Sequence, residues 1–304
     1  MLSGQKRNTG ISEKKSIYDF LSAKKDIGRE VQKIAELFES TGMIWSLDSW
    51  GHQDEIFTPE EVINNIFLSW KGRNLYLTPD ELKEDMEIAE IQQIYPNELQ
   101  FVRYLEYVIN MIQLFARSGA AYLKQQYTTN GFKIDWQQWN AMKDNISLIL
   151  SQLNLMLIKK SPEVFILIPK DPAITEAADS IEKPDVKLAI LEYNHITNRD
   201  NLTGKQKILH ILAKDFEPKR VELEKTNEGK NIASDLGFLF NSLDIRHNNT
   251  EGLKAFPAIQ SMSEKDLLTW YDRTYRLYLT AVLLTEYSEQ KDKITALKKA
   301  VNPK

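Results

Sequence analysis

Arg246-His247-Asn248-Asn249 directly follow the apolar stretch "FLFNSLDI", with Asn241 and Asp244 just upstream. These residue types suit phosphate chemistry. Arginine supplies a forked set of donors that matches a phosphate. Histidine is the side chain whose ordinary pKa serves both acid and base work near neutrality. In that reading Arg246 binds a phosphate, and His247 donates a proton to it or orients it. On a continuing helix Asn241, Asp244 and Asn248 lie close in angle, while Arg246 and Asn249 share another line. A purely structural reading stands beside it: His247 and the two asparagines form a helix C-cap and turn, and Arg246 pairs with an acid.

The rest of the chain offers no competing site. The four histidines, His52, His195, His210 and His247, are dispersed, and none has metal-ligand spacing. His210 sits on the apolar side of "KILHILAK", as a satisfied core or boundary residue would. His195 ends a helical segment, where the dipole favours a cation. There are no cysteines, which removes disulfides, thiolate ligands and cysteine nucleophiles. No glycine-rich phosphate loop or Gly-x-Ser-x-Gly elbow is present. Neither a metal nor a cofactor is expected.

The elements that must position Arg246 and His247 read as helices almost throughout. The 304 residues include only 12 Gly and 10 Pro, which disfavours a turn-rich β architecture, and are long enough for a sizeable core. Apolar residues recur at helical spacing over 13–40, 98–125 and 136–160, the last two reading as a helical hairpin. "TPEEV" at Thr58 and "TPDEL" at Thr78 are helix starts, with a Thr cap, Pro at the first position and Glu three residues after the cap. Asp135 and Ser263 are caps of the same kind, and Thr203 is placed as another. "EVFILIPKDP" is the one strand-like run and is expected to be an extended connector or a small β element, with 174–185 as a linker or mobile loop. Pro218 is placed at the start of a further turn, "TNEGKN" as a break, and the last helix as running to about residue 298. The expectation is an all-α, multi-helix bundle with at most a minor β element.

Charge divides the chain unevenly. The formal net charge is −4, so the whole molecule is no general nucleic-acid binder. Residues 45–100 hold 12 acids against Lys71, Arg73 and Lys83, whereas 205–230 hold seven bases against five acids. Two regions follow: 1–130, helical, acidic and Trp-rich, and 131–304, a helical bundle. Trp45, Trp50 and Trp70 are either a partner surface or core. No segment has the length and apolarity of a membrane span, and no apolar run of signal-peptide length opens the chain. A cytoplasmic protein is expected.

The C-terminal half, broadly 136–300 and more narrowly 203–287, resembles the HEPN superfamily of helical-bundle proteins. The match rests on "LFNSLDIRHNN", an apolar lead-in to an Arg and a polar successor, and on the aromatic last helix "DLLTWYDRTYRLYLTAVLL". Thr250, Glu251 and Gly252 stand where the family places a downstream catalytic His. The resemblance implies metal-independent RNA cleavage or RNA binding, with Arg246 and His247 in the catalytic positions and Asn241, Asp244, Asn248 and Asn249 lining the substrate. It also implies a homodimer that brings two motifs together, and a role in antiphage abortive infection or toxin–antitoxin systems. The other reading of the residues is a non-catalytic helical module that binds a protein partner.

Overall fold

The computed structural model describes residues 27–89, 97–127, 131–246, 259 and 261–301. Within them the chain is largely helical, as expected, and carries two small sheets. The N-terminal half contains α1 (Ile27–Ala35), β1 (Ile44–Leu47), β2 (Gln53–Phe57), α2 (Pro59–Ile66), α3 (Pro79–Asp85), α4 (Glu98–Leu114), α5 (Ala120–Gln126), β3 (Phe132–Ile134) and α6 (Trp136–Gln152). The caps predicted in this half hold. Thr58 and Glu61 form a reciprocal capping box on α2, Thr78 accepts from the Glu81 amide on α3, and Asp135 accepts from the amides of Gln137 and Gln138. A π-helical turn, Phe115–Gly119, joins α4 to α5. Gly119 lies against the Phe115 ring, where a Cβ would come within 2.6 Å of a ring carbon.

The expected helical hairpin between 98–125 and 136–160 is not what forms. Helix α6 packs on α1 instead, and the chain leaves it at Gln152. Asn154 takes a left-handed backbone (φ 53°), and 155–160 becomes strand β4 (Leu155–Ser161). This strand pairs antiparallel with β5 (Val164–Pro169), so "EVFILIP" has the partner that its sequence did not reveal. A second sheet, ordered β2-β1-β3, was also unforeseen. Its strands are short: β1 and β3 alternate in burial over only four and three residues, and β2 is exposed along most of its length.

The β4–β5 hairpin stands between two hydrophobic cores, and its period-two alternation serves both. Leu155 and Leu167 point into the N-terminal core, whereas Ile158, Ile166 and Ile168 point into the C-terminal one. The outer edge of β5 is covered by α4. Asn110 exchanges two hydrogen bonds with the Phe165 backbone (2.8 and 2.9 Å), and Glu106 accepts from the Leu167 amide (2.9 Å).

Among the described residues five helices build the C-terminal core: α7 (Pro172–Asp179), α8 (Pro184–Glu192), α9 (Leu202–Leu223), α10 (Asn227–Ser242) and α11 (Glu264–Val301). Residues 174–179 are therefore the body of a helix, capped by Asp171 and burying Ala177 and Ala178, rather than part of a linker. Asn201, not Thr203, caps α9. Helix α9 runs through Pro218, with tertiary packing offsetting the roughly 3 kcal/mol that an interior proline costs. "TNEGKN" opens α10 through the Thr226 cap, and Ser263 caps α11 as expected. Three buried tyrosines on α11 tie the bundle together. Tyr271 donates to the Leu243 carbonyl at the end of α10 (3.2 Å), Tyr275 to the Ile190 carbonyl in α8 (2.7 Å), and Tyr278 to Asp215 in α9 (2.8 Å).

Candidate functional site

Helix α10 ends on the candidate site. Apolar Leu236, Phe240 and Leu243 bury one face against α9 and α11, which fixes where the chain leaves the helix. Asp244 adopts a left-handed backbone (φ 57°), and the Arg246 amide donates back to the Phe240 carbonyl (3.1 Å). Helix α9 holds this turn from the side. Gln206 donates to the Asp244 carbonyl (2.8 Å), and His210 Nδ1 donates to the Ile245 carbonyl (2.9 Å).

The turn presents Arg246 with its side chain a quarter exposed. One terminal guanidinium nitrogen lies 2.5 Å from Glu217 Oε1 on α9, and the other donates to Asn241 Oδ1 (3.1 Å). Asn241 and Arg246 are thus brought together, while Asp244 is turned towards Gln206. Residues His247, Asn248 and Asn249 lie outside the described residues. Over 241–246 the geometry is that of a structured helix end with an Arg–acid pair, and the same pair orients the guanidinium. Burial, followed by the Asp244 charge, pushes the Tyr271 phenol beneath this turn up to about 12. Sequence reasoning missed Glu217. It precedes Arg246 by almost a full helix and a turn, and only the packing of α9 on α10 brings them together.

The other three histidines each have a partner within the fold. His52 pairs with Asp48 (3.3 Å) in an exposed turn. His195 is buried, with Nε2 2.9 Å from Glu106 and Nδ1 2.7 Å from Thr197, so it links the segment after α8 to α4. Beside it a cleft of about 760 Å³ opens between the two cores. Tyr193 and Lys205 both donate to Asp272 Oδ1 (2.9 and 2.7 Å) there, and Tyr193 stacks on Tyr275 with ring centroids 3.9 Å apart. Burial and the Asp272 charge raise the Tyr193 phenol well above its ordinary value, so it stays protonated. The Trp residues divide: Trp70 is core and donates to the Glu163 carbonyl (2.8 Å), whereas Trp50 is 83% exposed.

Among the described residues no group of three His, Cys, Asp or Glu could hold a metal ion, and no helix is long and apolar enough to cross a membrane. Comparison with protein-family models, curated proteins and solved structures returns no match to this chain.

Proposed function

We propose that the protein acts on RNA in the cytoplasm through its C-terminal bundle. It does so as an HEPN-like RNA-binding protein or metal-independent endoribonuclease of an antiphage, abortive-infection or toxin–antitoxin type system. The placement of Arg246 carries the reading. An oriented, partly exposed guanidinium stands just past the end of α10, with α9 and α11 packed on that helix, and the chain continues directly into His247. A forked donor in that position suits a phosphodiester. In cleavage, the ribose 2′-oxygen attacks phosphorus, the bond to the 5′-oxygen breaks, His247 transfers a proton and Arg246 offsets the charge that develops. Glu217 competes with the phosphate for Arg246, so RNA must displace it or share the guanidinium.

Total RNA incubated with wild-type protein, Arg246→Ala and His247→Ala is the direct test. Wild-type protein is expected to bind or cleave, and Arg246→Ala to lose at least tenfold of that activity. Equal behaviour of wild-type and Arg246→Ala removes the reading. The exposure of Trp50, Val221 (73%) and Phe238 (63%) favours a second one, a non-catalytic protein-interaction module. There a partner would be lost on Phe238→Ala and retained on Arg246→Ala.

A further inference from the structure

Charges of both signs line the cleft of about 760 Å³ beside His195: Arg199, Lys205 and Arg276 against Glu98, Asp171 and Asp272. A set so balanced draws in neither a polyanion nor a polycation. Most of these groups are already engaged. Asp171 Oδ1 accepts from the Ala173 and Ile174 amides at the start of α7. Glu98 and Arg199 face each other at 3.5 Å, and both are exposed. Lys205 is buried and donates to Asp272 Oδ1 (2.7 Å), which also accepts from Tyr193 (2.9 Å). His195 is taken up by Glu106 and Thr197.

Two groups of opposite sign remain. Asp272 has a side chain 40% exposed, and its Oδ2 has no hydrogen bond or ion pair among the described residues. Arg276 is exposed, and its guanidinium has no ion pair or hydrogen bond among the described residues. The two stand one turn apart on α11 and both line the cleft, so they leave the same face of the helix with Cβ atoms about 6 Å apart. They do not pair with each other, because Lys205 and Tyr193 hold the carboxylate by its other oxygen. Around them the walls are apolar: Val102 from α4, Leu155 from β4, Ile174 from α7 and Leu279 from α11. An apolar enclosure with a few convergent polar groups is the usual build of a small-molecule site, and the volume lies within the range of such sites.

We infer that this cleft binds a zwitterion with an apolar side chain: a free α-amino acid or a peptide of two or three residues. The ammonium group meets Asp272 Oδ2, the carboxylate takes the forked donors of Arg276, and the side chain lies on the apolar walls. Lys205 and Tyr193 are positioning residues, which fix the Asp272 carboxylate without touching the ligand's charges. The cleft is larger than one amino acid fills, which leaves room for the peptide. It shares no residue with the Arg246 turn, and the inference stands or falls independently of any action on RNA.

Isothermal titration calorimetry of the full chain with L-leucine and with leucyl-leucine tests it. At least one of the two should bind one-to-one, and the comparison tells a free amino acid from a peptide. The N-acetylated form of the better ligand lacks the ammonium group, and its C-terminal amide lacks the carboxylate; each should bind at least tenfold more weakly. Arg276→Gln should also weaken the parent ligand at least tenfold, with an unchanged circular dichroism spectrum, since Arg276 is exposed. In that variant the amide should bind as well as the parent, an equality that a damaged fold would not produce. No binding of either compound, affinity that survives N-acetylation, or affinity unchanged in Arg276→Gln would each overturn the proposal.

Discussion

Outside the candidate site, Asp215 is held by three side chains at once. Its side chain is fully buried and accepts from Lys183 (3.2 Å), Lys219 (2.6 Å) and Tyr278 (2.8 Å). Burial pushes its pKa up, but the hydrogen bonds from Lys219 and Tyr278 and the Lys219 charge outweigh it, and the carboxyl is held below its ordinary value. A carboxyl with a depressed folded pKa contributes stability that is fully present above the unfolded value of about 4 and is lost as pH falls through the folded value. Asp215→Ala should therefore cost about 2–4 kcal/mol at neutral pH, mostly from the orphaned Tyr278 hydroxyl, because both lysines are half exposed and screened. Chemical denaturation at pH 7 and again below pH 4 checks it: the gap between wild-type and variant should narrow in acid. At this scale the sequence identified Arg246 and the kind of partner it takes, an acid, but not which one. "DIRHNN" is a local pattern, whereas Glu217 belongs to another helix.

Helix starts were legible because a cap is a local device. Thr58, Thr78, Asp135 and Ser263 each bond to amides two or three residues ahead, and no distant contact is needed to recognise them. The hairpin was not legible. Leu155 to Ile158 continue the apolar rhythm of α6, and only pairing with 164–169 shows that the period has changed from helical to two. Helix α4 then decides whether that hairpin is stable at its outer edge. Asn110→Ala should leave the Phe165 amide and carbonyl without partners and cost about 2–3 kcal/mol. Hydrogen exchange should show faster exchange of the Phe165 and Leu167 amides while the core of α4 stays protected. Unchanged exchange there would show that the edge does not depend on Asn110.

Two cores of comparable size share one hairpin, an exposed Arg199–Glu98 pair and a mostly buried side-chain bridge, Glu106 to His195. Glu106 Oε2 serves both the Leu167 amide and the His195 ring, so it couples the strand edge to the C-terminal bundle. Glu106→Ala should loosen that coupling and separate the unfolding of the two halves. Five of the six tryptophans lie between residues 45 and 139, and Trp270 is the sixth. Tryptophan fluorescence therefore follows mainly the first core, and circular dichroism follows both. Coincident transitions in wild-type protein and separated ones in Glu106→Ala are expected, and coincidence in both would refute the bridging role.

By itself, the sequence determined the helical class, the caps at Thr58, Thr78, Asp135 and Ser263, the exclusion of cysteine chemistry and the prominence of the Arg246 turn. All of these follow from residue type and short-range spacing. The tertiary structure alone decided that 155–161 is a strand, that α6 packs on α1, that 172–179 is helical, and that Arg246 is held by Glu217 and Asn241. Each of those depends on residues far apart in the chain that gain free energy only when packing brings them into contact, and no local pattern encodes that encounter.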